Sequence, residues 1–103
     1  MGISEADRSE LRALVAQLEA QVREEAAPER RAEAAELVAE LENAVLAPVP
    51  QVARMAFIRD WFSAHLPRLA GAVNALVLSP LVGRIVAVAG DLAAAEFRNT
   101  FTR

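Results

Sequence analysis

Early in the chain, apolar residues recur at Leu11, Val15, Leu18 and Val22, with spacings of four, three and four and with Leu14 beside them. That spacing returns each side chain to one face of an α-helix as a heptad stripe. Arg8, Arg12, Glu19, Arg23 and Glu24 keep the remaining circumference polar. Ser4 stands in a capping position, with Asp7 three residues on in capping-box register. The pattern predicts a first helix over 4–27, ending at Ala26-Ala27-Pro28. Ala34, Val38, Leu41 and Val45 then repeat the same spacing, with Leu37 adjoining, and predict a second helix over 28–46. Pro28 suits its first position, where a missing N–H costs nothing. Two short helices with matching stripes and a tight connection read as an antiparallel hairpin. Glu29, Glu33, Glu36 and Glu40 form an acidic row on the second. Like charges at this spacing repel, so the row is expected to face solvent or the arginines of a neighbour.

Ala47-Pro48-Val49-Pro50-Gln51 reads as a stiff, extended linker over 47–51. A third helix over 51–66 carries Val52, Met55, Ile58, Phe62 and Leu66 on one side, with Trp61 at its edge. Phe57 falls nearly opposite Met55, to be covered by another element or left to meet a partner. Pro67 forces Leu66 away from helical angles and separates a fourth helix over 67–78. Ser79-Pro80 is a cap followed by a first-position proline, which starts a fifth helix over 80–101.

Taken as one helix at ~100° per residue, the stretch 80–101 divides into four rows. Arg84, Asp91 and Arg98 make a narrow polar line. Leu81, Ile85, Val88 and Leu92 make a large apolar face, and Gly83, Ala87, Gly90 and Ala94 a small one. Val82, Val86, Ala89, Ala93 and Phe97 close the back. A helix so apolar is not expected at a surface. An interior glycine costs ~1 kcal/mol relative to alanine, so Gly83 and Gly90 suggest a contact face on which another backbone approaches closely. A lone carboxylate is expensive to bury unpaired, so Asp91 points to an arginine of another helix or protomer, or to water.

Composition agrees with this reading. A chain of 103 residues is one domain near the small end of what buries an adequate core. Its 54% hydrophobic content is mostly Ala, Leu and Val, a helical vocabulary, and no residue is Tyr. The expected fold is all-α. A two-helix antiparallel hairpin and a Pro-rich linker precede a three-helix apolar C-terminal half, and oligomerisation completes the bundle. With no cysteine there is no disulfide, thiol nucleophile or thiolate ligand, and a cytoplasmic location is the default expectation. A net charge of −3 argues against nucleic acid. The acidic, polar start does not read as a signal peptide, and no uninterrupted apolar run reaches the ~18 residues of a spanning helix.

His65 is the only histidine. It offers no zinc or iron site without several clustered carboxylates, and it has no Ser/His/Asp arrangement around it. The glycines form neither GxGxxG nor a P-loop. Catalysis, a cofactor and a metal are therefore not expected.

Leu66-Pro67-Arg68-Leu69-Ala70-Gly71-Ala72-Val73, Ser79-Pro80-Leu81-Val82-Gly83, Ala89-Gly90-Asp91 and Glu96-Phe97-Arg98 carry a resemblance, together with SELRALVAQLEAQV and LAPVP. The chain resembles the short all-helical, effector-associated adaptor modules of bacterial multidomain conflict and signalling proteins. The resemblance implies helical contacts that join a sensor to its effector, with a larger bacterial signalling protein as partner.

Two functions are expected from these patterns. The first is a non-catalytic interaction module that homo-oligomerises through its C-terminal helices. Its interface would draw on Phe57, Trp61, Gly83, Ala87, Gly90, Asp91, Ala94, Phe97 and Phe101. The alternative is a membrane-active effector that inserts an apolar hairpin over 69–90. Gly71 to Gly90 would span ~30 Å if helical throughout, with Arg84 its only charge, a costly group near a bilayer centre.

Overall fold

The computed structural model describes residues 3–101 and contains six helices among them, with no strand. They are α1 (Glu5–Glu25), α2 (Pro28–Leu46), α3 (Val52–His65), α4 (Pro67–Val77), α5 (Pro80–Val88) and α6 (Asp91–Phe101). The all-α expectation holds.

The starts and stops have local causes. Ser4 Oγ accepts the Asp7 N–H at 3.0 Å and caps α1. Ala26 and Ala27 are extended and lead directly into Pro28 at the start of α2. The Arg31 side chain donates to the Ala26 carbonyl at 3.2 Å across that turn. α1 packs on α2, burying Leu11, Val15, Leu18 and Val22 on one and Ala34, Leu37, Val38, Leu41, Ala44 and Val45 on the other. Arg12 of early α1 lies 3.6 Å from Glu42 of late α2, as an antiparallel hairpin requires. The acidic row sits at the surface, where Glu40 takes Arg54 of α3 as an ion-pair partner.

Along the linker, Pro50 is buried and the Gln51 N–H donates to the Ala44 carbonyl at 3.0 Å. This returns the chain so that α3 packs on α2. Leu66 has φ −138° and ψ 67°, outside the helical region, as the following proline demands. α4 therefore changes direction and packs on both α3 and α1. The first four helices thus close a ring around Leu11, Leu41, Met55, Ile58, Phe62 and Val73, all fully buried.

α5 lies across α1 and α2, and α6 packs on α5 and α3. Ser79 fixes the joint before α5. Its hydroxyl donates to the Leu76 carbonyl at 2.8 Å and accepts the Val82 N–H at 3.4 Å. The two helices it joins, α4 and α5, meet at a bend of 51°. They form a kinked rod, not the hairpin expected over 69–90.

The expected single helix over 80–101 is two helices. Gly90 has φ +123°, a conformation that L side chains rarely adopt, and it turns the chain between α5 and α6. In a sequence, a glycine between apolar residues reads equally as a packing notch or as a stop. The break ends the fourfold division of that stretch. α5 buries two adjoining rows, Leu81 with Ile85 and Val82 with Val86. α6 buries Ala93 and Phe97. Val88 and Leu92, expected to continue the row of Leu81 and Ile85, are exposed.

The glycines give a direct test. A Cβ on Gly71, inside α4, would meet no atom within 4 Å. Gly71→Ala should therefore stabilise the protein by about 0.5–1 kcal/mol through its helix propensity and the smaller entropy of the unfolded chain. Gly90→Ala has the same open space but the wrong φ, and should destabilise by about 1–3 kcal/mol. Urea unfolding of the two variants should move in opposite directions. A stabilised Gly90→Ala would contradict the break between α5 and α6.

Candidate interaction surface

The residues expected to form an interface take three different roles. Phe97 is buried and Phe101 half-buried, with ring centroids 5.0 Å apart. The Arg59 guanidinium of α3 lies 4.9 Å over the Phe101 ring. These contacts dock α6 onto α3 inside the chain. Trp61 is half-buried, edge-on to Phe62 at 5.1 Å and tilted against the His65 ring at 4.9 Å. The single histidine is therefore an exposed ring lying on an aromatic neighbour.

The small-residue row is the second group. Gly83 is half-buried in α5 and Ala87 is exposed. A Cβ on Gly83 would meet no atom of the described residues within 4 Å, so none of them presses closely on it. Gly90 is the turn itself, and Ala94 lies half-buried beyond it on α6. The four residues do not line a single helix.

Phe57 and Asp91 remain open to solvent. Phe57 is half exposed, with the Arg54 guanidinium 5.0 Å from its ring centroid. Asp91 is the first residue of α6, where a carboxylate complements the helix dipole. It is exposed and has no ion-pair partner among the described residues. An arginine does bridge between helices from the expected polar line, but it is Arg84. Its guanidinium lies 3.4 Å from Asp7 and 3.8 Å from Glu10 of α1.

The exposed large apolar side chains show where covering is incomplete. Among the described residues they are Val49, Phe57, Leu78, Val88 and Leu92. None belongs to α1 or α2. Leu92 is 89% exposed and Val49 73%, the highest values among them. Val88 also lines a groove of about 230 Å³ with Ile3, Leu46, Pro48, Pro50, Ile85 and Ala89, and Arg8 contributes the charged part of its wall. Leu92 lies four residues after Val88, beyond the Gly90 turn.

Sequence reasoning missed this groove because it joins the linker, the start of α1 and the end of α5. A usable signal was present in the linker. The two prolines flanking Val49 marked a stiff segment there, and the chain bends over 47–49 so that Pro50 is buried while Val49 is exposed.

A second groove of about 240 Å³ runs between α1 and α4, lined by Leu14, Leu18, Ala72, Ala75 and Leu76 with Gln17, Gln21 and Ser79. Its walls hold no titratable side chain. Among the described residues, no three His, Asp or Glu side chains are grouped to hold a metal ion. Both grooves are therefore walled mostly by apolar side chains, with Arg8 the one charged wall residue in either among the described residues.

Internal docking and surface display separate by mutation. Phe97→Ala should cost roughly 3 kcal/mol or slightly more, the range for emptying a buried aromatic site. Leu92→Gln should stay within about 0.5 kcal/mol of the parent, as befits a surface position. Urea titration followed by fluorescence of the single tryptophan checks both. A large loss in Leu92→Gln would mean that this side chain is covered in solution.

No protein-family model, curated protein or solved structure matches this chain, so its own surface carries the functional argument.

Proposed function

We propose that this protein is a non-catalytic helical interaction module that self-associates through its C-terminal half. One observation carries the reading. Every large apolar side chain left exposed among the described residues lies after α2, on the linker or on α3 to α6. The hairpin of α1 and α2 displays none, although it supplies much of the core. A contiguous apolar surface marks a site of protein contact, and Val88 with the groove that it lines forms such a surface. Most soluble oligomers are built from identical chains, so a second copy is the occupant favoured for it. In the setting that the adaptor resemblance implies, the covered module would also present its acidic hairpin to a larger signalling protein.

The membrane reading has one observation on its side. Among the described residues no single helix is long and apolar enough to cross a bilayer, but α4 and α5 together pass that test as a bent pair. The same pair supplies Leu69, Val73, Leu76, Val77, Leu81, Val82, Ile85 and Val86 to the core. Insertion would therefore require the core to open, which makes self-association the better-supported reading.

Sedimentation equilibrium at concentrations on the order of tens of micromolar should show a species larger than one chain. A folded monomer throughout that range would sink the proposal. Liposomes of anionic and zwitterionic composition should neither bind the protein nor leak. Dye release at either composition would favour the membrane reading instead.

A further inference from the structure

Asp91 and Leu92 stand side by side at the start of α6, and the nearby groove offers each of them a partner. Leu92 projects into solvent, while the groove between the linker and the end of α5 is walled mostly by apolar side chains. Its volume of about 230 Å³ is ample for a leucine side chain, since an apolar cavity of about 150 Å³ accepts benzene. Asp91 is exposed without an ion-pair partner among the described residues. Arg8, on the groove wall, is paired with Glu5 at 3.7 Å. That pair lies on the open surface, and Glu5 is almost fully exposed, so it holds Arg8 only weakly.

The knob cannot use its own socket. Leu92 belongs to the chain whose Val88 and Ala89 line the groove, and at 89% exposure it lies outside that groove. A second copy brings a second knob. A two-fold contact requires one surface to carry both members of each pair, so that residue i meets residue j and j meets i. The corner between α5 and α6 carries knob and socket, acid and base.

We infer that two copies of this chain meet at this corner, with Leu92 of each in the other's groove and the Asp91 carboxylate of each against the partner's Arg8. The inference rests on the self-association reading and names its surface. The apolar contact supplies affinity and the paired charges set the register. It also gives Val49, on the linker segment between Pro48 and Pro50 of the groove wall, a place at the edge of the contact.

Charge reversal tests the two-fold arrangement on the intact chain. Leu92→Glu should weaken dimerisation by roughly a hundredfold or more, since two leucines leave the interface at once. Arg8→Glu alone and Asp91→Arg alone should each weaken it, because each creates two like-charge contacts per dimer. Mixing these two variants in equal amounts should restore association, since both contacts in the heterodimer are then of opposite sign. The double variant R8E/D91R should recover for the same reason. Circular dichroism should show unchanged helix content throughout. Asp91→Asn removes the charge with less disturbance of the start of α6, and it should weaken association less than Asp91→Arg.

Sedimentation equilibrium reads every arm. If the parent associates but Leu92→Glu does not weaken it, this surface is wrong while self-association stands. If Leu92→Glu dissociates the parent but the charge-reversed mixture and double variant fail to recover, the two-fold pairing is overturned. If the parent is monomeric, both readings fall, and the groove is left to a different partner or to a lipid.

Discussion

Three prolines set the dimensions on which this fold depends. Pro28, Pro67 and Pro80 each occupy the first position of a helix, and the residue before each is held outside the helical region. Each therefore ends one packing direction and begins another. Their placement fixes how long α1, α3 and α4 can be, and hence whether α4 returns to α1 and closes the ring. Had α3 run on through Leu66 to Val77, its end would lie about 18 Å farther along the same axis, at 1.5 Å per residue. Val73 and Val77 would then leave the core they now share with Leu11 and Phe62. The apolar stripes supply the stabilising contact, but the prolines bring those stripes together.

The ring leaves limited room for α5 and α6. The molecule is only 18 Å across its shortest principal axis, less than two helix diameters with side chains. Every helix in such a body has an outer face, and a chain this short cannot cover them all. α5 meets this constraint by burying two rows of aliphatic side chains against α1 and α2. α6 comes last and buries only Ala93 and Phe97. It is held by the Phe97–Phe101 contact and by Arg59, with the Gly90 turn at its other end. The exposed Leu92 and Asp91 therefore belong to the element with the smallest internal footprint.

The fold was largely legible in the sequence because its decisive signals are local. Ser4, Pro28, Pro67, Ser79 and Pro80 act on the residues next to them, whatever lies across the core. The four-three-four spacing in α1 and α2 was sufficient to place their buried faces and their pairing. Gly90 was not legible in this way. Its role depends on φ, which its neighbours do not determine, and one misread residue displaced the phase of every residue after it. Val88 and Leu92 consequently seemed to continue a buried row that in fact ends at Ile85. The interface residues suffered most from this shift. Phe97 and Phe101 make internal contacts between α6 and α3, whereas Phe57, for which the spacing left covering and exposure both open, is half exposed. The groove beside Arg8 was illegible because its walls come from three separated segments.

Asp91 shows how the break changes the meaning of a charge. In a continuous apolar helix, its carboxylate would need an arginine of another helix or protomer, or a face open to water, to avoid a costly burial. At the first residue of a new helix it has an intrinsic reason to be there, since the unpaired N–H groups favour a negative charge. That local explanation accounts for its position but not for Leu92 beside it. A helix start needs no exposed leucine, and the fold gains nothing from displaying one into water. The pair becomes intelligible when the acid fixes the beginning of α6 and the leucine is aimed by it. A short helix with a defined start then carries an apolar side chain on its exposed face, beside the turn at Gly90. That geometry suits an anchor for another protein surface.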